Sequence, residues 1–213
     1  MKEIGAMFLS RRSFLVGVGA VALVPVVGCA AETVVPLSSV EAADLAFVRE
    51  EEKLARDVYV ALAAIGGQTF ENIASSEQTH MDRMKDLLDL YGVPDPVAGR
   101  GPGEFQNAEL KALYDSLVAA GKASRNGALA VGLEIEELDI HDLDGIKARS
   151  THDDVRGALD ELIRGSRNHL RAYYGQLSAV GGTYQAKHID QATFMAIATS
   201  DQEKGGNGRF SGR

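Results

Sequence analysis

The spacing of hydrophobic and polar positions along the chain is helical throughout. Apolar residues recur every three or four positions in four long segments, which predict helices over residues 40–65, 69–91, 125–148 and 151–180. Gly66 and Gly92 follow the first two segments, as expected where helices end. Shorter helices are predicted over residues 107–120 and 190–199, and no alternating pattern typical of a strand competes with them. The chain is therefore predicted to be all-α.

The connection between the second and third long helices is long and rich in Gly and Pro over residues 92–105. An antiparallel four-helix bundle in which one crossover spans the bundle accommodates such a connection. We therefore expect a bundle over residues 41–182. It is followed by a C-terminal extension over residues 183–213, with a short helix and a Gly-rich tail.

The first residues are typical of a targeting segment. In "SRRSFL", Arg11 and Arg12 precede an apolar run that is short for a spanning helix, so residues 1–28 are predicted to be a twin-arginine signal peptide. "VVGC" resembles a lipoprotein processing site, which would make Cys29 a lipidated N-terminus; simple cleavage after a nearby small residue is the alternative. Residues 29–40 would be a linker. We expect an exported, extracytoplasmic protein that contacts the membrane through this anchor alone.

Charge and cysteine content exclude several kinds of function. The formal net charge is −8 and no basic cluster stands out, which argues against nucleic-acid binding. The single cysteine, Cys29, leaves the helical region without an internal disulfide or a cysteine-ligated metal. Any metal in that region must be bound by histidines and carboxylates.

Polar side chains interrupt the apolar stripes that the long helices should bury. In residues 69–91 the stripe is apolar or aromatic except at Glu77 and His80, which lie one turn apart. In residues 151–180, His169 lies near the middle of the stripe. The first and third long helices add further candidates on their predicted inner faces. These are Glu52 and Tyr59 in the first, and Glu134, Glu137 and His141 in the third.

Buried carboxylates cost several kcal/mol each unless they are compensated. Two divalent cations would neutralise four glutamates, and two imidazoles would complete their coordination. Each residue alone has an ordinary alternative: a solvated charge, a hydrogen-bonded core histidine or a packed tyrosine. On the first helix, Glu50 and Glu51 should point away from the core by roughly 100–200° of helix rotation. The candidate residues gain weight from their joint placement on four helices. The predicted metal ligands are Glu52, Glu77, His80, Glu134, Glu137 and His169, with His141 beside them.

At these residues the sequence resembles the ferritin-like superfamily, and rubrerythrins in particular, over about residues 41–180. "EKLARDVY" is similar to a first-helix pattern in which the Glu binds iron and the Tyr lies beside the metals, which here are Glu52 and Tyr59. Glu77 and His80 resemble the second-helix pair, and Glu134 with Glu137 the third-helix E-x-x-E. The chain also resembles an uncharacterised ferritin-like family of unknown function.

The fourth helix departs from the rubrerythrin pattern. The family has E-x-x-H, but this chain has Ser166-Arg-Asn-His169, so His169 matches and the glutamate is replaced by serine. The resemblance then implies that one metal lacks a ligand or keeps a position open to substrate, with Ser166 beside it. Rubrerythrins also carry a Cys-rich electron-transfer domain that this chain lacks, so electrons would come from an external donor.

Together these features predict an exported oxidoreductase with two iron ions, or manganese in their place, that reduces peroxide or dioxygen. Tyr59 would donate a hydrogen bond or an electron during turnover. A homodimer is compatible with this interpretation. Two alternatives remain open: a ferritin-like module that sequesters iron without turnover, and a ferritin-like scaffold that binds no metal.

Overall fold

The described part of the chain, residues 34–205 of a computed structural model, is helical and contains no strand. The predicted signal peptide and Cys29 lie outside the described residues, as does the end of the Gly-rich tail. The six helices are α1 Ser39–Gly66, α2 Gln68–Tyr91, α3 Ala108–Gly121, α4 Arg125–Arg149, α5 Asp153–Ala179 and α6 Gln191–Ala198. The all-α prediction is confirmed over this range.

Local capping explains where several helices begin. Ser38 and Glu41 form a capping box at the start of α1, so the predicted linker ends shortly before residue 40. The side chains of Asn107, Ser124 and Asp190 cap α3, α4 and α6. The starts of these four helices therefore follow from short-range signals in the sequence.

The four long helices pack around a core that polar residues divide in two. α1 packs on α2 and α4, α5 packs on α4 and α2, and the short helices α3 and α6 lie against α1, α4 and α5. One apolar cluster includes Tyr59, Phe70 and Tyr173, and the other includes Leu45 and Leu159. The buried carboxylates, histidines and serine on the inner faces of the long helices lie near the boundary between the two clusters.

The order in which each helix meets the two clusters gives its direction. α1 and α5 run from the Leu45 cluster to the Tyr59 cluster, whereas α2 and α4 run the opposite way. Because α2 and α4 are parallel, the chain between them must return along the length of the molecule. The connection over residues 92–124, which contains α3, does this.

Buried polar residues of α1 hold that long connection in place. Lys53 pairs with Asp57 inside the protein, and its Nζ donates to the Gly101 carbonyl at 2.8 Å. The Asp57 carboxylate in turn accepts from the Gly103 amide at 2.9 Å. Glu50 accepts hydrogen bonds from the amides of residues 106 and 107. Glu50 is therefore buried although it lies off the predicted inner face, because the connection covers that side of α1.

The C-terminal extension is attached to the helices as well. Glu137 of α4 accepts from the Tyr184 hydroxyl at 2.8 Å and from the backbone amides of residues 187–189. Further along, the Glu203 carboxylate bridges Arg167 and Arg171 of α5. Among the described helices, none is long and apolar enough to cross a membrane.

Candidate metal centre

The inner carboxylates and histidines form two ligand groups with one shared member. The first ligand group is Glu52, Glu77 and His80; the second is Glu77, Glu136 and His169. Within each group, one potential ligand atom per residue lies within 4.8 Å of the others. The residues come from α1, α2, α4 and α5, so the groups form only when the four long helices pack together.

In the first ligand group, one imidazole nitrogen faces two carboxylates. His80 Nδ1 lies 2.7 Å from Glu77 Oε2 and 3.2 Å from Glu52 Oε2. The ring fits because α5 has no side chain opposite it. A Cβ atom at Gly165 would lie 2.6 Å from His80 Nε2, closer than packing allows. Gly165 thus makes room for His80.

In the second ligand group, hydrogen bonds from outside the group fix its members. His169 Nδ1 lies 2.8 Å from Glu77 Oε1 and 3.5 Å from Glu136 Oε2. Its Nε2 is 3.0 Å from the Ser76 hydroxyl, which orients the ring. The Tyr59 hydroxyl donates to Glu136 Oε1 at 2.6 Å. The other Glu136 oxygen is left facing His169.

Burial and crowding shift the pKa of every member. Burial raises the pKa of Glu52 and of Glu136 to about 7. Burial opposes ionisation of Glu77 too, but the adjacent His169 and His80 outweigh it and lower the pKa of Glu77. Burial disfavours the charged imidazole of His169, yet Glu77 and Glu136 raise its pKa to about 10. The buried carboxylates of the two ligand groups therefore favour a positive charge beside them.

Several buried ligand atoms lack a hydrogen-bond partner among the described residues. Glu77 Oε1, Glu136 Oε2 and His169 Nδ1 are close to one another but not aligned as donor and acceptor. Unpartnered buried carboxylate oxygens are costly unless a cation neutralises them. Imidazole nitrogen and carboxylate oxygen are donors that bind iron, manganese and zinc. The residues present therefore fit a pair of divalent metal ions.

Two more buried carboxylates lie next to these groups. Asp139 of α4 and Glu51 of α1 are 1% and 2% exposed, and all four of their carboxylate oxygens lack hydrogen-bond partners among the described residues. Burial, and then the charges of neighbouring carboxylates, raise the pKa of both. The expectation that Glu51 points away from the core is wrong, since it faces α4.

The structure brings together four of the six predicted ligands: Glu52, Glu77, His80 and His169. Tyr59 is fully buried and contacts the second ligand group through its hydroxyl. Each ligand group has two carboxylates and one imidazole, so the serine at 166 does not leave the second with fewer ligands. Ser166 itself is buried, but its hydroxyl donates to the Leu162 carbonyl at 3.2 Å.

The structure does not bring the predicted α4 residues into either group. The Glu134 carboxylate pairs with Lys187, and Glu137 binds the C-terminal extension. His141 was predicted to lie beside the ligands, but its side chain is 58% exposed and contacts Asp142. Glu136 takes the place that the sequence analysis gave to Glu134 and Glu137.

Periodicity did not identify Glu136 because α4 is covered on more than one side. α1 and α5 bury one face, while α3 and the C-terminal extension cover others, so buried residues occur almost all around the helix. A hydrophobic stripe alone then cannot identify the inner face. The inner face has a four-and-three spacing of buried residues, but this spacing does not distinguish it from the other buried faces of α4. Its members are Leu129, Gly132, Glu136, Asp139, Leu143 and Ile146.

Comparison with known proteins agrees with this all-helical domain. Residues 41–201 match a family described as "Uncharacterized protein domain (DUF2202)". The chain belongs to this family. The match covers all six helices from the third residue of α1 onward, and with them every member of the two ligand groups.

One relative of this DUF2202 protein has a crystal structure. Uncharacterized protein MJ0754 of Methanocaldococcus jannaschii is 43% identical over 173 residues, which are 81% of this chain and 94% of the relative. The crystal structure of that hypothetical protein superposes with a TM-score of 0.78 at 41% identity, covering 81% of this chain and 99% of the other. The likeness extends over nearly the whole length of the relative.

Proposed function

We propose that the protein is a ferritin-like four-helix bundle that binds two iron ions, or manganese in their place, and reduces peroxide or dioxygen. The opposite directions of the α1/α5 and α2/α4 pairs, and the long connection between the parallel helices α2 and α4, support this bundle topology. Inward carboxylates with a Glu-x-x-His pair on α2 support the metal pair.

The observation that carries the proposal is the position of Glu77. Its two carboxylate oxygens face different imidazoles, Oε2 at 2.7 Å from His80 Nδ1 and Oε1 at 2.8 Å from His169 Nδ1. A carboxylate shared in this way can bridge two cations. Glu52 and Glu136 would each supply a second carboxylate to one ligand group.

When bound, two ferrous ions would supply the two electrons that convert hydrogen peroxide and two protons into two water molecules. An external electron donor would supply the two electrons for the next turnover. The protein's own groups orient and shield this chemistry. Ser76 orients His169, the Tyr59 hydroxyl donates to Glu136 and favours its ionised form, and the two apolar clusters exclude bulk water.

The test begins with metal content. Protein purified without chelator should contain about two metal ions per chain, and the ferrous form with a supplied reductant should consume peroxide catalytically. Two ions per chain without turnover would favour the alternative of iron sequestration. No bound metal, even after incubation with ferrous or manganous ions, would contradict the proposal and leave a metal-free scaffold.

We also propose that the protein is exported and anchored by Cys29, in residues outside the described part of the chain. Replacement of both Arg11 and Arg12 by lysine should keep the precursor in the cytoplasm. Cys29→Ser should release the exported protein from the membrane fraction with its helical content unchanged. A Cys29→Ser protein still firmly bound to membranes would contradict lipid anchoring.

A further inference from the structure

Glu51 and Asp139 have no assigned role in the two ligand groups, although they are as deeply buried as the ligands. No donor group among the described residues hydrogen bonds to either Glu51 oxygen or either Asp139 oxygen, and Glu51 lies beside another carboxylate, that of Asp142. Two unpaired carboxylates in a protein interior destabilise the fold unless protons or cations reach them. Their burial beside the ligand groups therefore points to cations.

These carboxylates belong to a row that leads from the buried ligand Glu52 to the partly exposed Asp142. Asp139 and Asp142 lie one turn apart on α4, and Glu51 precedes the ligand Glu52 on α1. The side chain of Glu52 is 2% exposed, that of Asp142 is 29% exposed, and Glu51 and Asp139 are buried between them. The negative charge of Asp142 helps to raise the pKa of the buried Glu51, and the charge of Glu51 helps to raise the pKa of the buried Asp139.

The outer end of the row opens on a surface cleft. The cleft has a volume of about 280 Å³ and is lined by Asp44, His141 and Asp142, with Arg149 on its wall. Arg149 is held by Asp44 through two hydrogen bonds, so its charge is already balanced. The Asp142 carboxylate contacts the exposed His141 imidazole, a further cation ligand at the mouth.

A second cleft approaches the ligand groups at His80, but its charge is different. It has a volume of about 260 Å³ and is lined by His80, Arg83, Glu161 and Arg164. Two guanidinium groups against one carboxylate disfavour the approach of a divalent cation. Of the two clefts, the one at Asp142 is suited to cations.

We propose that Asp142, Glu51 and Asp139 form the path by which divalent metal ions pass from the surface cleft to the two ligand groups. This inference rests on the metal pair of the proposed function. Each carboxylate replaces part of the ion's hydration shell as it moves inward, so the ion is never without negatively charged ligands. The backbone carbonyls along this path are already hydrogen bonded within the helices. The carboxylate side chains therefore supply the ligands for the passing ion.

The test measures the rate of metal loading separately from the amount bound. Metal-free protein is mixed with Co²⁺, and the growth of the cobalt d–d absorption is followed by stopped flow, with final stoichiometry from elemental analysis. Glu51→Gln and Asp142→Asn should each slow loading about tenfold or more while the final stoichiometry stays at two. Glu71→Gln, which removes an exposed charge from α2, is the matched control and should load at the native rate.

Three outcomes would overturn the path. Native loading rates in both Glu51→Gln and Asp142→Asn would show that ions enter elsewhere. A stoichiometry reduced by Glu51→Gln would make Glu51 a ligand of the bound pair. Equal slowing in Glu71→Gln would mean that net charge alone sets the rate. These outcomes leave the proposed function intact, because native protein would still bind two ions, whereas native protein that binds no Co²⁺ would overturn both.

Discussion

The two ligand groups have the same composition but different surroundings. In the second group, His169 is oriented by Ser76 and Glu136 by Tyr59, so its geometry is fixed before any ion arrives. In the first group, His80 lies on the wall of a surface cleft and depends on the space left by Gly165. Glu52 has His80 as its hydrogen-bond partner within the group.

This difference predicts that the two groups differ in how tightly they bind an ion and in how easily a small molecule reaches it. Preorganised ligands bind an ion tightly because less freedom is lost on binding. Ligands beside a cleft leave room for a small molecule to approach. We therefore expect the second ligand group to hold its ion more firmly and the first to be the one that peroxide or dioxygen reaches.

The largest effect is expected from Glu77, because both groups share it. Glu77→Gln removes the charge that faces both imidazoles and should lower bound metal from two ions per chain to well below one, measured by elemental analysis. Glu71→Gln, at an exposed position of the same helix, should retain both ions. Loss of a single ion in Glu77→Gln would show that only one of the two groups depends on Glu77, which would contradict its shared role.

Removal of metal should expose a pH dependence to which both groups contribute. In metal-free protein, burial raises the pKa of Glu52 and of Glu136 from 4.5 to about 7. A raised pKa means that the folded state holds the proton more tightly than the unfolded state. The stabilisation is complete below pH 4.5 and is lost as the pH rises through about 7.

The free energy of unfolding of chelator-treated protein, measured with denaturant, should therefore fall by a few kcal/mol between pH 4.5 and about 7. Glu52→Gln and Glu136→Gln should each reduce this slope, and added Zn²⁺ should reverse the loss. A stability that rises with pH over this interval would contradict burial as the dominant cause of the shifts.

Gly165→Ala should affect the first ligand group alone. The added methyl group would lie 2.5 Å from His80 Cε1, so the ring must move. We expect the affinity for one of two ions to fall by roughly 10–100-fold, measured by titration with Zn²⁺. Gly157→Ala on the same helix meets nothing within 4 Å and is the matched control. Equal weakening of both ions would show that the second group is no more firmly fixed than the first.

Tyr59→Phe should produce the smallest change, and in the second group. Loss of its hydroxyl leaves Glu136 Oε1 without its donor, which should cost about 1 kcal/mol of stability and about tenfold in affinity for one ion. Tyr174→Phe, whose ring packs on Phe194, should change neither. The measurements are denaturant unfolding and Zn²⁺ titration; a Tyr59→Phe protein with native affinity for both ions would mean that Tyr59 does not preorganise Glu136.

The ligands on α2 and α5 were predictable because those helices have simple stripes. Glu77 and His80 interrupt an otherwise apolar face, and His169 lies among Leu162, Tyr173 and Leu177, all of them buried. A helix with one buried face leaves little choice of register, so periodicity identified these residues. Glu52 was identified in the same way on α1, although its neighbours were misplaced.

The residues that were missed lie where an additional element covers a helix. Glu50 and Glu51 are buried because the long connection and α4 pack on their sides of α1. Glu137 is buried by the C-terminal extension, a segment that the sequence analysis placed outside the bundle. Periodicity alone does not show which glutamate of a consecutive run is buried. The residues that pack against each of them are distant in the chain.

By itself, then, the sequence determined the helices, their approximate ends and four of the ligands, which are Glu52, Glu77, His80 and His169. These are local properties, because capping, glycine termination and a 3.6-residue period act within a few turns. The tertiary structure alone decided that Glu136 and not Glu134 or Glu137 joins His169, and that Glu51 and Asp139 are buried. Which face of α4 meets the centre depends on the summed packing of α1, α3, α5 and the C-terminal extension, and no short stretch of sequence contains that sum.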